Sequence, residues 1–116
     1  MNLSELRAYL LAKPGAAEEY PFGPETLVLK AGGKIFALVA ITSTPLSISL
    51  KCDPSQAQFL RDAFAAVQPG YHLNKQHWNT VTIDGSIPPE GLQAMIDDSY
   101  RLVVAGLSRA ARARLG

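Results

Sequence analysis

The sequence predicts an α+β fold, a two-layer sandwich in which helices cover one face of a mostly antiparallel, five-stranded sheet. Short strand-like segments follow one another across turns of a few residues, and such connections favour antiparallel neighbours. One of these segments alternates apolar and polar residues, as a strand with one covered face does. Segments of helical periodicity stand before, between and after the strands. The predicted order is therefore helix, three strands, helix, two strands, helix.

The first helix is predicted over about residues 3–13. Asn2 and Glu5 have the spacing of a capping box, and leucines recur behind them at helical spacing. The Lys-Pro-Gly sequence at 13–15 ends the helix. Residues 20–25, YPFGPE, contain two prolines and a glycine, which predicts an ordered loop or turn.

Three strands follow, over residues 25–30, 35–41 and 46–51. The second is almost continuously apolar, which is typical of a central strand buried on both faces. The third alternates, with its leucines and isoleucine on one side and its serines and Lys51 on the other. The Ala-Gly-Gly-Lys sequence at 31–34 predicts the hairpin turn between the first two strands.

The second helix is predicted to begin with Asp53 as N-cap and Pro54 at the first helical position. Its apolar stripe extends to Val67, and the Gln-Pro-Gly sequence that follows ends it. The last two strands are predicted on either side of a bend at residues 74–76. The last helix, over about residues 89–111, carries a long inward stripe of apolar residues.

The length and composition of the chain suit a single domain over residues 1–116. A net charge of +1 excludes a protein that coats nucleic acid by bulk charge, although it leaves room for a local basic patch. The single cysteine excludes an internal disulfide and favours a reducing compartment, so we expect a cytoplasmic protein. We find no secretory signal and no apolar stretch long enough for a bilayer, so no membrane association is expected.

Strand alternation predicts a polar outer face on the sheet, opposite the helices. Lys30, Lys51 and Trp78 point to that face together with several hydroxyls, and the bend presents Asn74 and Lys75 near its rim. Lysines neutralise phosphates, an indole stacks on a base, and amides and hydroxyls supply adaptable hydrogen bonds. The composition therefore suits nucleic acid. The alternative interpretation is an ordinary solvent-facing sheet whose tryptophan covers an edge.

Metal binding and nucleophilic catalysis have weaker support. His72 and His77 have opposite parity on a continuous strand, and no Cys, Asp or Glu beside them completes a tetrahedral metal site. Cys52 precedes Asp53, whose charge would raise the pKa of the thiol rather than lower it. We therefore predict no metal, no cofactor and no catalytic residue.

The last helix has two further charged features. Asp97 and Asp98 occupy adjacent helical positions that diverge, which favours a solvated face over a paired-carboxylate site. Its end is basic, which suits the negative end of the helix dipole; a phosphate-binding arm is the alternative. The basic residues are Arg101, Arg109, Arg112 and Arg114.

The stretch YHLNKQHWNTV, preceded by LRDAFAAVQPG and followed by DSYRLVV, resembles the MmcQ/YjbR family of small bacterial proteins. The segments YPFGPETLVLK, GKIFALV and LSISLKCDP fit the family in the same order, and the likeness covers about residues 3–105. The resemblance implies the helix and strand order predicted above, sometimes grouped with frataxin-like or secretion-chaperone-like arrangements. Family members are commonly labelled DNA-binding, and no catalytic activity accompanies the Asn-Lys-x-His-Trp core at 74–78.

The leading hypothesis is a small, non-enzymatic, cytoplasmic protein that binds DNA or another nucleic acid through the outer face. The residues predicted to contact it are Lys30, Lys51 and Lys75 on phosphates, Trp78 by stacking, and Asn74, His72 and His77 by hydrogen bonds. The alternative is a module on the same face for a protein or small ligand, chaperone-like and a monomer or homodimer. A third hypothesis, an enzyme with a histidine base, lacks an accompanying nucleophile or cofactor.

Overall fold

The computed structural model describes residues 1–115. The elements are α1 (Leu3–Leu11), β1 (Ala16–Glu19), β2 (Thr26–Ala31), β3 (Lys34–Ala40), β4 (Ser47–Lys51), α2 (Pro54–Ala63), β5 (Val67–Pro69), β6 (Trp78–Thr82), α3 (Pro89–Ala105) and α4 (Arg109–Ala113). The capping box of Asn2 and Glu5 is present at α1. Within residues 1–115, none of the helices has the length and apolarity that crossing a membrane requires.

The strands form one antiparallel sheet in the order β1-β2-β3-β4-β6-β5. The predicted α+β class is confirmed, but the predicted number of strands was wrong, since the sheet has six. The additional strand is β1, whose Ala-Ala-Glu-Glu sequence has little intrinsic preference for a strand. Its pairing with β2, from Ala16 opposite Ala31 to Glu19 opposite Val28, supplies the hydrogen bonds that make it one.

Two predicted helix boundaries were also wrong. The helix α2 ends at Ala63, so Val67 lies in β5, paired with Val81 of β6, instead of on a helical stripe. The last predicted helix is two helices: α3 ends at Ala105, and the side chain of Ser108 caps α4. The apolar periodicity continues past the end of the helix in both places. After α2 the chain pairs with β6 instead, and after α3 a new cap starts a separate helix.

The core lies between the inner face of the sheet and the helices. The Phe36 ring is fully buried and meets Tyr100 of α3 edge-on, with 5.3 Å between ring centroids. The Ser99 hydroxyl donates to the Phe36 carbonyl (2.6 Å) and accepts from the Lys51 amide (2.9 Å), so α3 is pinned across β3 and β4. A polar residue on the inner side of α3 is thus satisfied by the sheet backbone.

The β2–β3 turn and the end of the chain pack together. Gly32 and Gly33 have φ of +59° and +82°, left-handed values that favour glycine, and they confirm the predicted hairpin turn. A Cβ on Gly32 would lie 2.6 Å from the side chain of Leu107, which is itself buried. The segment after α3 therefore closes over this end of the sheet.

Candidate functional site

The outer face of the sheet is apolar in its middle and hydroxyl-rich toward β4 and β6. Leu27 and Leu29 lie in the core, so Val28 between them faces outward, as predicted; it is nevertheless fully buried. Two rows of cross-strand partners cross this face: Val28, Leu38, Ser49 and Thr80 in one, and Thr26, Ala40, Ser47 and Thr82 in the next. The sequence-based description, hydroxyls with lysines and a tryptophan, lacked this apolar middle.

Two loops flank these rows and border an open cavity of about 460 Å³. We call it the outer-face cavity. Strands β2, β3, β4 and β6 form its floor, the β1–β2 loop forms one wall, and the β5–β6 loop (residues 70–77) forms the other. Its lining residues are Phe22, Thr26, Leu38, Ala40, Ser47, Ser49, Tyr71, His72, Leu73 and Thr80. The volume falls within the range of about 300–1,000 Å³ that is typical of small-molecule sites.

A pair of hydroxyls lies on the floor of the cavity. Ser49 and Thr80 are direct cross-strand partners, and their Oγ and Oγ1 atoms are 2.8 Å apart. The Tyr71 backbone N–H donates to Thr80 Oγ1 at 3.0 Å, so the same pair fixes the start of the β5–β6 loop. Ser49 is only 9% exposed, and Thr80 is partly buried.

Aromatic rings stand at the mouth of the cavity. Phe22 and Tyr71 are 65% and 73% exposed, unusual values for large rings on neighbouring loops. The His72 and Tyr71 rings lie 3.9 Å apart in a tilted arrangement. His72 also has φ of +58°, a left-handed conformation that is strained for a residue other than glycine. Strain of this kind concentrates at functional sites.

The Asn-Lys-x-His-Trp core builds the β5–β6 loop. Asn74 Oδ1 accepts hydrogen bonds from the backbone N–H groups of Gln76 (2.9 Å) and His77 (3.2 Å), which closes the turn. The side-chain oxygen that was predicted to hydrogen-bond a ligand is therefore used within the loop. The asparagine of this core therefore has a structural role in the turn.

Sequence reasoning missed Arg61, which fastens this loop to α2. Arg61 Nε donates to Asn79 Oδ1 at 2.7 Å, and its terminal nitrogen donates to the carbonyls of Lys75 and Trp78. Asn79 is only 3% exposed and donates from Nδ2 to the carbonyl of Ala57 (3.3 Å). A signal was available, because an asparagine at an inward strand position needs a buried partner.

The three lysines predicted to contact phosphate do not line the cavity. Lys30 Nζ lies 2.8 Å from the carboxylate of Glu19, so part of its charge is neutralised. Lys75 Nζ is 3.5 Å from a backbone carbonyl of its own loop. Lys51 is the direct cross-strand partner of Trp78 on β6. None of the three therefore adds a cation to the lining of the cavity.

Of the predicted site residues, His72 alone lines the cavity. His77 is exposed, and its backbone carbonyl accepts from the Cys52 amide at 2.7 Å. Trp78 is half-buried against Gly70, where an added Cβ would lie 2.7 Å from the Trp78 Cβ. The predicted set therefore contains one cavity residue and several that surround the cavity or build its wall.

Comparisons with known proteins give the family of this chain. The YjbR family model matches residues 11–102. The chain belongs to the YjbR family. It is 38% identical to the Escherichia coli K12 protein YjbR over 104 residues, which cover 90% of this chain and 88% of that protein. It is 41% identical to YbdF of Escherichia coli O157:H7 over 90 residues, covering 78% and 74% of the two chains.

Solved structures share the same architecture. A crystal structure of the Deinococcus radiodurans protein DR2400, a DUF419 domain, has a TM-score of 0.92 at 43% identity and covers 99% of this chain and 88% of its own. A Pseudomonas syringae protein has a TM-score of 0.77 at 26% identity and covers 89% and 99%. The resemblance seen in the sequence is thereby confirmed at the level of the YjbR family.

The thiol of this YjbR-family chain is poorly placed for nucleophilic chemistry. Cys52 is 8% exposed, and burial raises the pKa of its thiol, with further contributions from the charges of Asp98 and Asp53. The prediction that Asp53 raises the pKa of this thiol is therefore confirmed. Among residues 1–115, no three His, Cys, Asp or Glu side chains lie close enough to hold a metal ion.

The prediction that Asp97 is simply solvated was wrong. The Asp97 carboxylate accepts from the Tyr9 hydroxyl at 2.7 Å and from the Lys13 ammonium, which ties α3 to α1. Partial burial by itself would raise the pKa of Asp97, but hydrogen bonds from Lys13 and Tyr9, with the charges of Lys13 and Arg101, hold it below its ordinary value. The neighbouring Asp98 pairs with Arg101 on the surface.

Two cations close the end of α3. Arg112 donates to the carbonyl of Ala105 at 3.1 Å, and Lys34 donates to the carbonyl of Gly106 at 3.2 Å. These carbonyls lack partners within the helix and carry its negative dipole end. The Arg112 contact favours the helix-dipole interpretation for that residue over a free phosphate-binding arm.

Proposed function

We propose that the protein is a non-enzymatic binding module that takes a small, mainly apolar ligand in the outer-face cavity. The observation that carries the proposal is the cavity itself, about 460 Å³ between two loops over an apolar and hydroxyl-lined floor. Apolar contact with the ligand is supplied by Leu38, Ala40, Leu73 and the rings of Phe22 and Tyr71. Concave surfaces of this size with a few convergent polar groups are typical ligand sites.

The chemistry of the lining supports binding over catalysis. In the part of the chain that the structure describes, no acidic residue, lysine, arginine or cysteine lines the cavity. His72 is the remaining candidate base, and its ring lies against that of Tyr71. A binding role requires only the shape, the apolar surface and the hydroxyls.

The proposal is tested by titrating the ¹⁵N-labelled protein with α-methylstyrene, a small uncharged hydrocarbon. We expect saturable chemical-shift changes at the amides of Ser49, Tyr71 and Thr80. Ala40→Leu, which fills the floor of the cavity, should abolish them. The matched control Ala17→Leu adds the same volume on the exposed strand β1 and should leave them unchanged. Shifts that never saturate, or that persist in Ala40→Leu, contradict the proposal.

Nucleic-acid binding is the second candidate, favoured by the cross-strand pair of Lys51 and Trp78 on the same face. The indole can stack on a base while the neighbouring lysine neutralises a phosphate, and the exposed Tyr71 ring offers a second surface for stacking. Each stacked base contributes about 1–3 kcal/mol, so binding would be weak and sensitive to salt. This candidate also agrees with the label that the family resemblance implies.

The single tryptophan allows a direct test of this second candidate. We expect single- or double-stranded oligonucleotides to quench Trp78 fluorescence at low salt, with affinity falling steeply toward physiological salt. Lys51→Ala should weaken binding. Lys34→Ala, which removes a lysine that instead contacts the end of α3, is the matched control. Equal weakening by both variants, or no quenching at low salt, excludes a specific role for the outer face.

A further inference from the structure

We infer that the ligand carries an acceptor oxygen, and that a spare hydroxyl proton of the Ser49–Thr80 pair binds it. This inference rests on the proposed function, since it concerns the ligand of the same cavity. It follows from the number of protons that the two hydroxyls hold and from the partners that the protein supplies for them.

The two hydroxyls hold two protons, and one of them lies in the hydrogen bond between Ser49 Oγ and Thr80 Oγ1. The Tyr71 N–H adds a donor to Thr80 Oγ1 and supplies no acceptor. If Ser49 donates to Thr80, the Thr80 proton is left over; if Thr80 donates to Ser49, the Ser49 proton is left over. Either arrangement presents one O–H donor to the cavity.

That donor lies where water is easily displaced. Ser49 is 9% exposed, and Leu38 is its cross-strand partner on the other side, within an apolar floor. A ligand that fills the cavity removes the water that otherwise accepts the proton. A buried O–H donor without an acceptor is costly, whereas an oxygen with an unused lone pair is tolerated more readily. The ligand must therefore bring an acceptor to this point.

The rest of the lining agrees with an acceptor and opposes a cation. No Asp or Glu within residues 1–115 lines the cavity, so an ammonium group would find no counter-charge. His72, at the mouth, can donate from a ring nitrogen. The ligand class is therefore a small apolar body, aromatic or aliphatic, that carries an uncharged acceptor oxygen such as that of a carbonyl group.

Acetophenone and α-methylstyrene test this inference because they share one shape and differ at the acceptor oxygen. Dissociation constants are measured by NMR titration for the native protein and for Ser49→Ala/Thr80→Val. We expect the double variant to lose about three- to tenfold more affinity for acetophenone than for α-methylstyrene, as removal of one hydrogen bond to the ligand predicts. Each single variant leaves one free hydroxyl proton and should lose less than the double variant.

The matched control is Thr42→Val/Ser43→Ala, an exposed pair in the turn between β3 and β4 that does not line the cavity. It removes the same atoms from the protein and should leave the ratio of the two affinities unchanged. If α-methylstyrene binds and the ratio of the two affinities is the same in the native protein and the Ser49/Thr80 double variant, the inference is overturned while the proposed function stands. If neither probe binds, the proposed function fails, and the inference with it.

A measurement on the native protein covers the case in which the double variant fails to fold. The carbonyl ¹³C resonance of labelled acetophenone moves in a known direction when its oxygen accepts a hydrogen bond. We expect the bound resonance to lie near its position in a hydroxylic solvent. A bound resonance at its position in a hydrocarbon solvent overturns the inference.

Discussion

Removing the Arg61 guanidinium should loosen the β5–β6 loop and destabilise the whole fold. In Arg61→Ala three hydrogen bonds disappear, to Asn79 Oδ1 and to the carbonyls of Lys75 and Trp78. The Trp78 carbonyl keeps a second donor, the Gly70 N–H at 2.8 Å, and the Lys75 carbonyl lies in an exposed part of the loop. The main loss is therefore at Asn79.

The magnitude follows from the burial of Asn79, which is 3% exposed. A hydrogen bond from a charged donor contributes about 1.5–3 kcal/mol, and a buried acceptor left without a partner costs a similar amount. Because the other two carbonyls recover partners, we expect the free energy of unfolding to fall by about 2–3 kcal/mol. For a domain of this size each kcal/mol corresponds to about 4 °C, so Tm should fall by roughly 8–12 °C.

Urea denaturation followed by Trp78 fluorescence and by circular dichroism measures this change. Arg61→Lys keeps the charge and loses the planar guanidinium, so its free energy of unfolding should lie between those of the native protein and Arg61→Ala. Arg101→Ala is the matched control: its side chain is 73% exposed and only pairs with Asp98 three residues earlier, so a change within about 0.5 kcal/mol is expected. An Arg61→Ala protein as stable as Arg101→Ala would refute this account of the loop.

Three further outcomes are expected. Because the pKa of Asp97 is lowered in the folded state, its ionised form contributes stability above about pH 4, and this stability is lost as the pH falls through the lowered pKa. In Asp97→Asn, the free energy of unfolding measured in urea should therefore fall less between pH 7 and pH 3 than in the native protein, by no more than about 1 kcal/mol. The buried Cys52 thiol, with its raised pKa, should react with iodoacetamide far more slowly in the native protein than in urea, and equal rates would contradict its placement. Gly70→Ala should lower stability by about 1–3 kcal/mol in the same denaturation assay, because its Cβ would lie 2.7 Å from that of Trp78, and an unchanged midpoint would show that the loop can shift.

Much of the fold was predictable because its signals are local. The capping box at Asn2, the Asp53 N-cap, the Gly32–Gly33 turn and the alternation of β4 depend on neighbouring residues, and each was found in the structure. Two of the errors concern β1 and the start of β5, where a weakly patterned segment becomes a strand only by pairing with a distant one. Local propensity carries no information about such partners.

The candidate site divides in the same way. The sequence by itself determined the family motif, the outward direction of Lys51 and Trp78, and the unfavourable environment of the Cys52 thiol. Only the tertiary structure decided that the motif builds a loop held by Arg61, and that this loop and the one containing Phe22 face each other across an apolar floor. The physical reason is that a cavity is made by the convergence of segments far apart in the chain, and by the hydrogen bonds and packing that hold them there.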